Sequence, residues 1–105
     1  MPSEPVERLV LLMEDAGWPA PIREYRFHPV RKWRIDLYLK EFNVGIECQG
    51  GVHRQGRHTR GKGYTDDCRK LNEAQLLGIT LLWVTPEMIE NGEALDFISR
   101  AISRS

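Results

Sequence analysis

The sequence predicts a single α/β domain with one mixed sheet flanked by helices, in the order αβββαβ with further helices at the C-terminal end. Residues 33–39 and 44–49 alternate apolar and polar side chains, which is the period of a half-buried strand. Residues 4–16 and 65–77 instead have apolar side chains at the spacing of a helix face. All 105 residues are expected to form this one domain, because a chain of this length supports one core.

The N-terminal elements follow from local signals. Ser3 is a helix-capping residue, and Val and Leu recur at helical spacing over residues 4–16 until Gly17 ends the helix. Residues 24–28 alternate weakly and predict a short strand. Residues 40–43 form the loop of the hairpin that follows. The hairpin's apolar positions, which are predicted to share one face of the sheet, are Ile35, Leu37, Leu39, Val44, Ile46 and Cys48.

The C-terminal half predicts a loop, a helix, a strand and two more helices. Residues 50–64 contain five glycines without periodicity, which indicates a basic loop. Thr65 and the two aspartates after it predict the start of a helix that Gly78 ends. The remaining elements are a strand over residues 79–84 buried on both faces, a short helix from Thr85 and Pro86 to Gly92, and a last helix over residues 93–103.

Composition argues against a membrane protein and against a disulfide-rich secreted protein. The longest apolar run is far too short to cross a bilayer, and the first residues lack the basic and apolar regions of a signal peptide. The cysteines, Cys48 and Cys68, are too few for a disulfide framework. We therefore expect a cytoplasmic protein without a membrane partner.

The formal charge of the chain is zero, but it is unevenly distributed. Residues 20–62 contain ten basic and four acidic side chains, and the remainder has the matching acidic excess. Such asymmetry is typical of a polyanion-binding surface, although a solvated basic loop has the same composition. Trp33 and Trp83 are interpreted as core or sheet cover rather than as base-stacking platforms. The side chains expected to contact nucleic acid are Arg34, Arg54, Arg57, His58, Arg60 and Lys62.

The hairpin register brings two carboxylates together. A four-residue loop pairs Leu39 with Val44, and the same register sets Asp36 opposite Glu47 on the polar face. Opposed Cβ atoms lie about 4.5–5.5 Å apart, and like charges there are destabilising unless a cation lies between them. Carboxylate oxygens suit Mg²⁺ or Mn²⁺. In the alternative interpretation, both carboxylates form surface ion pairs with Lys32 or neighbouring arginines.

A series of short motifs follows in a fixed order between about residues 24 and 89. They are Arg34-Ile-Asp36, Ile46-Glu47-Cys-Gln49-Gly50-Gly51, His53, Gly56-Arg57-His58-Thr-Arg-Gly61, Asp67-Cys-Arg-Lys70-Leu-Asn72 and Leu77-Gly78. In order and spacing they resemble the restriction-endonuclease-like PD-(D/E)xK superfamily. Within it they are most similar to the small Vsr-like and DUF559-like nucleases, which include short phage-encoded members.

The resemblance implies a metal-dependent DNA endonuclease, a nickase or a structure- or site-specific enzyme, that hydrolyses phosphodiester bonds with a metal-activated water. Asp36 and Glu47 match the family's metal-binding acids, with Mg²⁺ or Mn²⁺ as the cofactor. Gln49 stands where the family usually has lysine. Its amide oxygen can join the metal ligands, but it supplies neither a charge nor a base. The implied setting is a bacterial or phage-infected cell, with DNA bound by a monomer or a homodimer.

Because Gln49 has no charge, other groups must complete the site that the resemblance implies. Lys70 on the second predicted helix can supply the missing cation. His53 or His58 can accept a proton near neutral pH, and the resemblance favours a histidine in the loop after the second strand of the hairpin. Glu7 matches a position on the first helix where such folds often have an additional acid.

Two other interpretations remain at this point. The glutamine at position 49 is also compatible with a nuclease-fold module that has lost catalysis and binds nucleic acid or protein. Cys48, His53, His58 and Cys68 are ligand types for zinc, but their spacing lacks the short Cys-x₂₋₄-Cys pairs of structural sites, so structural zinc is not expected. The preferred DNA structure or sequence stays open, and RNA is an alternative substrate.

Overall fold

The computed structural model describes residues 4–50 and 61–104. It confirms the mixed α/β fold with four strands flanked by helices. The sheet has the order β1-β2-β3-β4, in which the first three strands are antiparallel and β4 runs parallel to β3. The elements are α1 (Glu4–Asp15), β1 (Ile22–Arg26), β2 (Arg34–Leu39), β3 (Val44–Cys48), α2 (Gly61–Leu76), β4 (Thr80–Val84), α3 (Pro86–Asn91) and α4 (Glu93–Arg104).

The β2–β3 hairpin has the predicted register. Leu39 pairs with Val44 across the four-residue loop, and Leu37 pairs with Ile46. The loop is fixed to the start of β4, because the backbone carbonyl of Asn43 accepts a hydrogen bond from the Thr80 N–H at 3.0 Å. The hairpin and β4 are therefore held as one unit at the end of the sheet away from Asp36 and Glu47.

Each face of the sheet packs against its own helices. The larger core lies between the sheet and α1, α3 and α4, and the smaller one lies between the sheet and α2. Buried side chains of the larger core include Leu9, Met13, Leu37, Leu39, Val44, Ile46, Val84, Ile89 and Ile98. Buried side chains of the smaller core are Ile35, Tyr38, Ala74, Ile79 and Leu81. Among the residues described, no helix is long and apolar enough to cross a bilayer.

The prediction that Ile35 shares a face with Leu37 is wrong, because Ile35 is buried in the smaller core beside α2. The β1 residues on both sides of Glu24 pair with β2, whereas Glu24 itself does not and has a φ of 51°. This left-handed backbone is uncommon outside glycine and interrupts the alternation of faces. The Ile35 side chain packs closely on Gly45, because a Cβ at position 45 would be 3.0 Å from Ile35 Cγ2.

Three element boundaries or environments differ from the sequence-based expectation. Helix α2 begins at Gly61 rather than Thr65. The N–H groups of a first helical turn have no acceptor within the helix, so this turn depends little on its sequence. Its two glycines had predicted a loop instead. Strand β1 starts at Ile22 and ends at Arg26, after which Phe27 leaves the strand to stack on Trp33. Strand β4 pairs only with β3 and is therefore an edge strand. It buries Leu81 and Val84 in the two cores on opposite faces, but it is not fully buried, because Trp83 is exposed.

The C-terminal helices form as predicted. The Thr85 hydroxyl oxygen accepts a hydrogen bond from the Met88 N–H at 3.2 Å, and Pro86 is the first residue of α3. Gly92 ends this helix in the left-handed conformation with a φ of 94°, where a glycine has no steric cost. Helix α4 then places Ile98 in the larger core, so the two helices cover the face of the sheet opposite α2.

Candidate active site

A pocket of about 120 Å³ lies where the ends of β2, β3 and β4 meet the N-terminal half of α2. Most of its lining side chains are polar or charged. They are Asp36 from β2, Glu47 and Cys48 from β3, Gln49 just after β3, Asp67 and Lys70 from α2, and Trp83 from β4. The structure thus brings together Asp36, Glu47, Gln49 and Lys70, four of the side chains that the sequence singled out.

Asp36 is oriented by the backbone of the neighbouring strand. Regular pairing between β2 and β3 stops at Leu37 and Ile46, one position before Asp36. The Cys48 N–H instead donates a hydrogen bond to Asp36 Oδ2 at 2.9 Å. The carboxylate therefore replaces a backbone acceptor of the ladder. Asp36 and Glu47 line the same pocket, although the regular pair between them that the sequence predicts is not formed.

Glu47 is a buried carboxylate, with 6% of its surface exposed. Its Oε2 accepts a hydrogen bond from Lys70 Nζ in a close ion pair. Burial raises the pKa of Glu47 above its ordinary value, and the Lys70 ammonium offsets only part of this effect. The charges of Asp36 and Asp67 raise the pKa further. The pocket therefore contains three carboxylates and one ammonium, which is a surplus of negative charge.

Lys70 and Gln49 are positioned by different elements. Lys70 projects from α2 with 18% of its side chain exposed and reaches the carboxylate of Glu47. Gln49 follows β3, and its backbone N–H donates to the carbonyl of Val84 at 2.7 Å, which fixes the chain just beyond the paired residues. Its side chain lines the pocket beside the ion pair. The positive charge of Lys70 on α2 thus lies in the same pocket as Gln49, whose side-chain amide is neutral.

Two side chains of this pocket, Asp67 and Trp83, were not among the predicted site residues. Asp67 lies three residues before Lys70 on α2, and this spacing places both on one helix face. Trp83 pairs with Glu47 in the parallel register of β3 and β4, and 41% of its surface is exposed. Trp83 is therefore not a core residue, whereas its interpretation as sheet cover stays a prediction. The helical spacing was visible in the sequence, but the parallel pairing was not.

Other predicted site residues lie elsewhere or outside the described part of the chain. Glu7 does not line the pocket, because its carboxylate accepts hydrogen bonds from the guanidinium of Arg23 on β1. Arg34 is exposed, with Nη1 3.4 Å from Glu24 Oε1. Lys62 belongs to α2, but its side chain is not described. The residues outside the described ranges are His53, Arg54, Arg57, His58 and Arg60.

The cysteines are free and partly buried. Burial raises the pKa of the Cys48 thiol to about 12, and the charges of Asp36 and Glu47 raise it as well. Formation of the thiolate that a metal needs is therefore disfavoured at Cys48.

Within residues 4–50 and 61–104, no group of three or more histidine, cysteine, aspartate or glutamate side chains is arranged to hold a metal ion.

Comparison with known proteins supports the fold. The solved structure of the homing endonuclease I-Bth0305I catalytic domain is similar, with a TM-score of 0.67 and 18% sequence identity. The likeness covers 95% of this chain and 93% of that one. This chain therefore has the α/β fold of that catalytic domain over most of its length. No protein-family model and no curated protein matches the sequence.

Proposed function

We propose that this chain is a metal-dependent DNA endonuclease that hydrolyses phosphodiester bonds, with the pocket at Asp36 and Glu47 as its active site. One observation supports this proposal most strongly. Two carboxylates from adjacent strands, a neutral amide and a helix lysine line one small pocket. The order of the nuclease-like motifs and the structural likeness to a homing endonuclease catalytic domain support the same function.

The donor atoms in the pocket fit Mg²⁺ or Mn²⁺. Asp36 and Glu47 offer carboxylate oxygens and Gln49 an amide oxygen, and these hard donors would hold the ion. Mg²⁺ is usually held by one or two carboxylates with water and phosphate at the other positions, so it does not need a closed protein cage. The surplus of negative charge in the pocket favours a divalent cation. When bound, such an ion polarises a phosphoryl oxygen and lowers the pKa of water.

The chain's own residues then have separate roles. The Cys48 N–H holds the Asp36 carboxylate in one orientation. Lys70 holds Glu47 and supplies the positive charge that Gln49 lacks, in a position to donate a hydrogen bond to a phosphoryl oxygen of the substrate. His53 or His58 accepts the proton of the attacking water. The phosphates of the DNA strand are held by basic side chains, namely those of Arg34, Arg54, Arg57, His58, Arg60 and Lys62.

The proposed substrate is DNA, cut as a nick by a monomer or on both strands by a homodimer. Conversion of supercoiled plasmid to the nicked form tests the proposal in Mg²⁺, Mn²⁺ or EDTA, with a gel-shift measurement on the same DNA. We expect nicking in either metal and none in EDTA. A protein that shifts DNA in the gel but never cuts it under any of these conditions would instead be a binding module on a nuclease fold.

A further inference from the structure

Trp83 is an exposed aromatic side chain at the candidate active site. It lies on the edge strand β4, and 41% of its surface is exposed, whereas Leu81 and Val84 on the same strand are buried. Leu81 and Val84 supply the contacts of β4 with the two cores. The exposed part of the Trp83 indole lies beside a charged pocket, where an aromatic face is open to a ligand.

The register fixes where the indole lies. Trp83 pairs with Glu47 across the parallel strands β3 and β4, and paired residues point to the same face of a sheet. Neighbouring strands are about 4.8 Å apart, so the indole is directly beside the Glu47 carboxylate. Asp67 and Lys70 line the same pocket from α2. The site therefore joins a charged centre to a flat apolar surface on its β4 side.

We propose that Trp83 stacks on a nucleobase of the DNA strand held at the pocket. This inference rests on the proposed nuclease function and adds a substrate class to it. A base is joined to its phosphate through one sugar, so a base next to a phosphate held at Asp36 and Glu47 would be within reach of an indole that lines the same pocket. Every base has a π-face, so stacking on tryptophan tolerates any sequence.

The substrate class follows from the geometry of stacking. In an intact duplex both faces of a base are covered by its neighbours, so an indole can stack there only after two base steps are separated, which costs a few kcal/mol. An unpaired, unstacked nucleotide next to the scissile phosphate offers its face without this cost. The preferred substrate is therefore DNA with an unpaired nucleotide at the cleavage position, for which a single-stranded oligonucleotide is the simplest probe.

Three variants separate stacking from simple apolar contact. Trp83→Phe keeps an aromatic face, and Trp83→Leu removes it but keeps an apolar side chain. Phe97→Leu is the matched control, because Phe97 is similarly exposed, at 38%, on α4 at the opposite face of the sheet. Affinities of the full chain for a dye-labelled single-stranded oligonucleotide and for the matching duplex are measured by fluorescence anisotropy in Ca²⁺. Thermal unfolding of each variant reports any loss of fold.

We expect Trp83→Leu to raise the Kd for the single strand by about ten-fold, while Trp83→Phe and Phe97→Leu change it by less than about three-fold. Affinity for the duplex should be the same in all four proteins. The stacking proposal is overturned if Trp83→Leu binds the single strand as tightly as the unmodified chain. If the unmodified chain binds and cuts DNA in that case, the nuclease proposal still stands. If it binds no DNA at all, both proposals fail.

A second measurement does not depend on the variants. The base analogue 2-aminopurine loses fluorescence when it stacks on an aromatic ring, and it can be placed at successive positions of the oligonucleotide. Because stacking tolerates any sequence, the unmodified chain binds the single strand in many registers, and binding should add quenching whichever interior position carries the analogue. No added quenching at any position of an oligonucleotide that the chain binds would contradict a stacking platform at Trp83.

Discussion

The ion pair between Lys70 and Glu47 gives a quantitative prediction. In the Lys70→Met variant the aliphatic stem is kept and the charge is lost, so Glu47, which is 6% exposed, loses its cation. Removing one partner of a fully buried pair costs about 3–5 kcal/mol. The pocket is partly open and Glu47 can take up a proton, so we expect a loss of about 2 kcal/mol in the free energy of unfolding.

Urea denaturation followed by circular dichroism at pH 7 in EDTA measures this loss. Lys40→Met is the control, because Lys40 is exposed in the hairpin loop and its removal should change stability by less than about 0.5 kcal/mol. The double variant Lys70→Met/Glu47→Gln should recover most of the loss, since it leaves no unpaired buried carboxylate. Equal stability of Lys70→Met and the unmodified chain, or no recovery in the double variant, would refute the reasoning.

Three further predictions concern other parts of the chain. Gly45→Val should lower the unfolding free energy in urea by about 2 kcal/mol, because its Cβ would lie 3.0 Å from Ile35 Cγ2; an unchanged midpoint would contradict the close packing. The pKa of Asp66 is held below its ordinary value by the hydrogen bond from Trp33 and by nearby arginines, so its contribution to stability is present above about pH 4 and is lost as the pH falls below that value. The stability difference between the unmodified chain and Asp66→Asn should therefore shrink between pH 7 and pH 3; a constant difference would contradict it. Because the pKa of Cys48 is raised to about 12, iodoacetamide at pH 8 should alkylate it far more slowly than a cysteine in a short peptide, as read by mass spectrometry; equal rates would contradict the burial.

Much of the fold was accessible from local patterns. The period-two alternation and the four-residue loop fix the pairing of Leu39 with Val44, and this register brings Asp36 and Glu47 to the same end of the hairpin, although they do not pair. The Thr85-Pro86 signal and Gly92 define α3 because capping and termination depend on neighbouring residues only. These features are determined within a few residues of chain, so the sequence is sufficient to predict them.

The features that the sequence did not predict depend on contacts between distant elements. Ile35 lies on the face opposite Leu37, and on the neighbouring strand the left-handed Glu24 lies between the partners of these two residues, which no alternation pattern reports. The apolar run of β4 is compatible with a central strand, and only the sheet order shows that it is an edge with Trp83 exposed. Asp67 enters the pocket because of how α2 lies across the sheet. The acids of the hairpin, Gln49 and Lys70 were thus predictable members of the pocket, whereas Asp67 and Trp83 were not.

The central claim is that Asp36 and Glu47 form the active site of a metal-dependent nuclease. Plasmid nicking in Mg²⁺ by the unmodified chain, Asp36→Asn, Glu47→Gln and Glu41→Gln tests it most directly. Glu41 is an exposed acid in the loop of the same hairpin and controls for the loss of one negative charge. We expect the unmodified chain and Glu41→Gln to nick at equal rates, and both pocket variants to be slower by at least about 100-fold. Nicking at the unmodified rate by Asp36→Asn and Glu47→Gln would contradict the account.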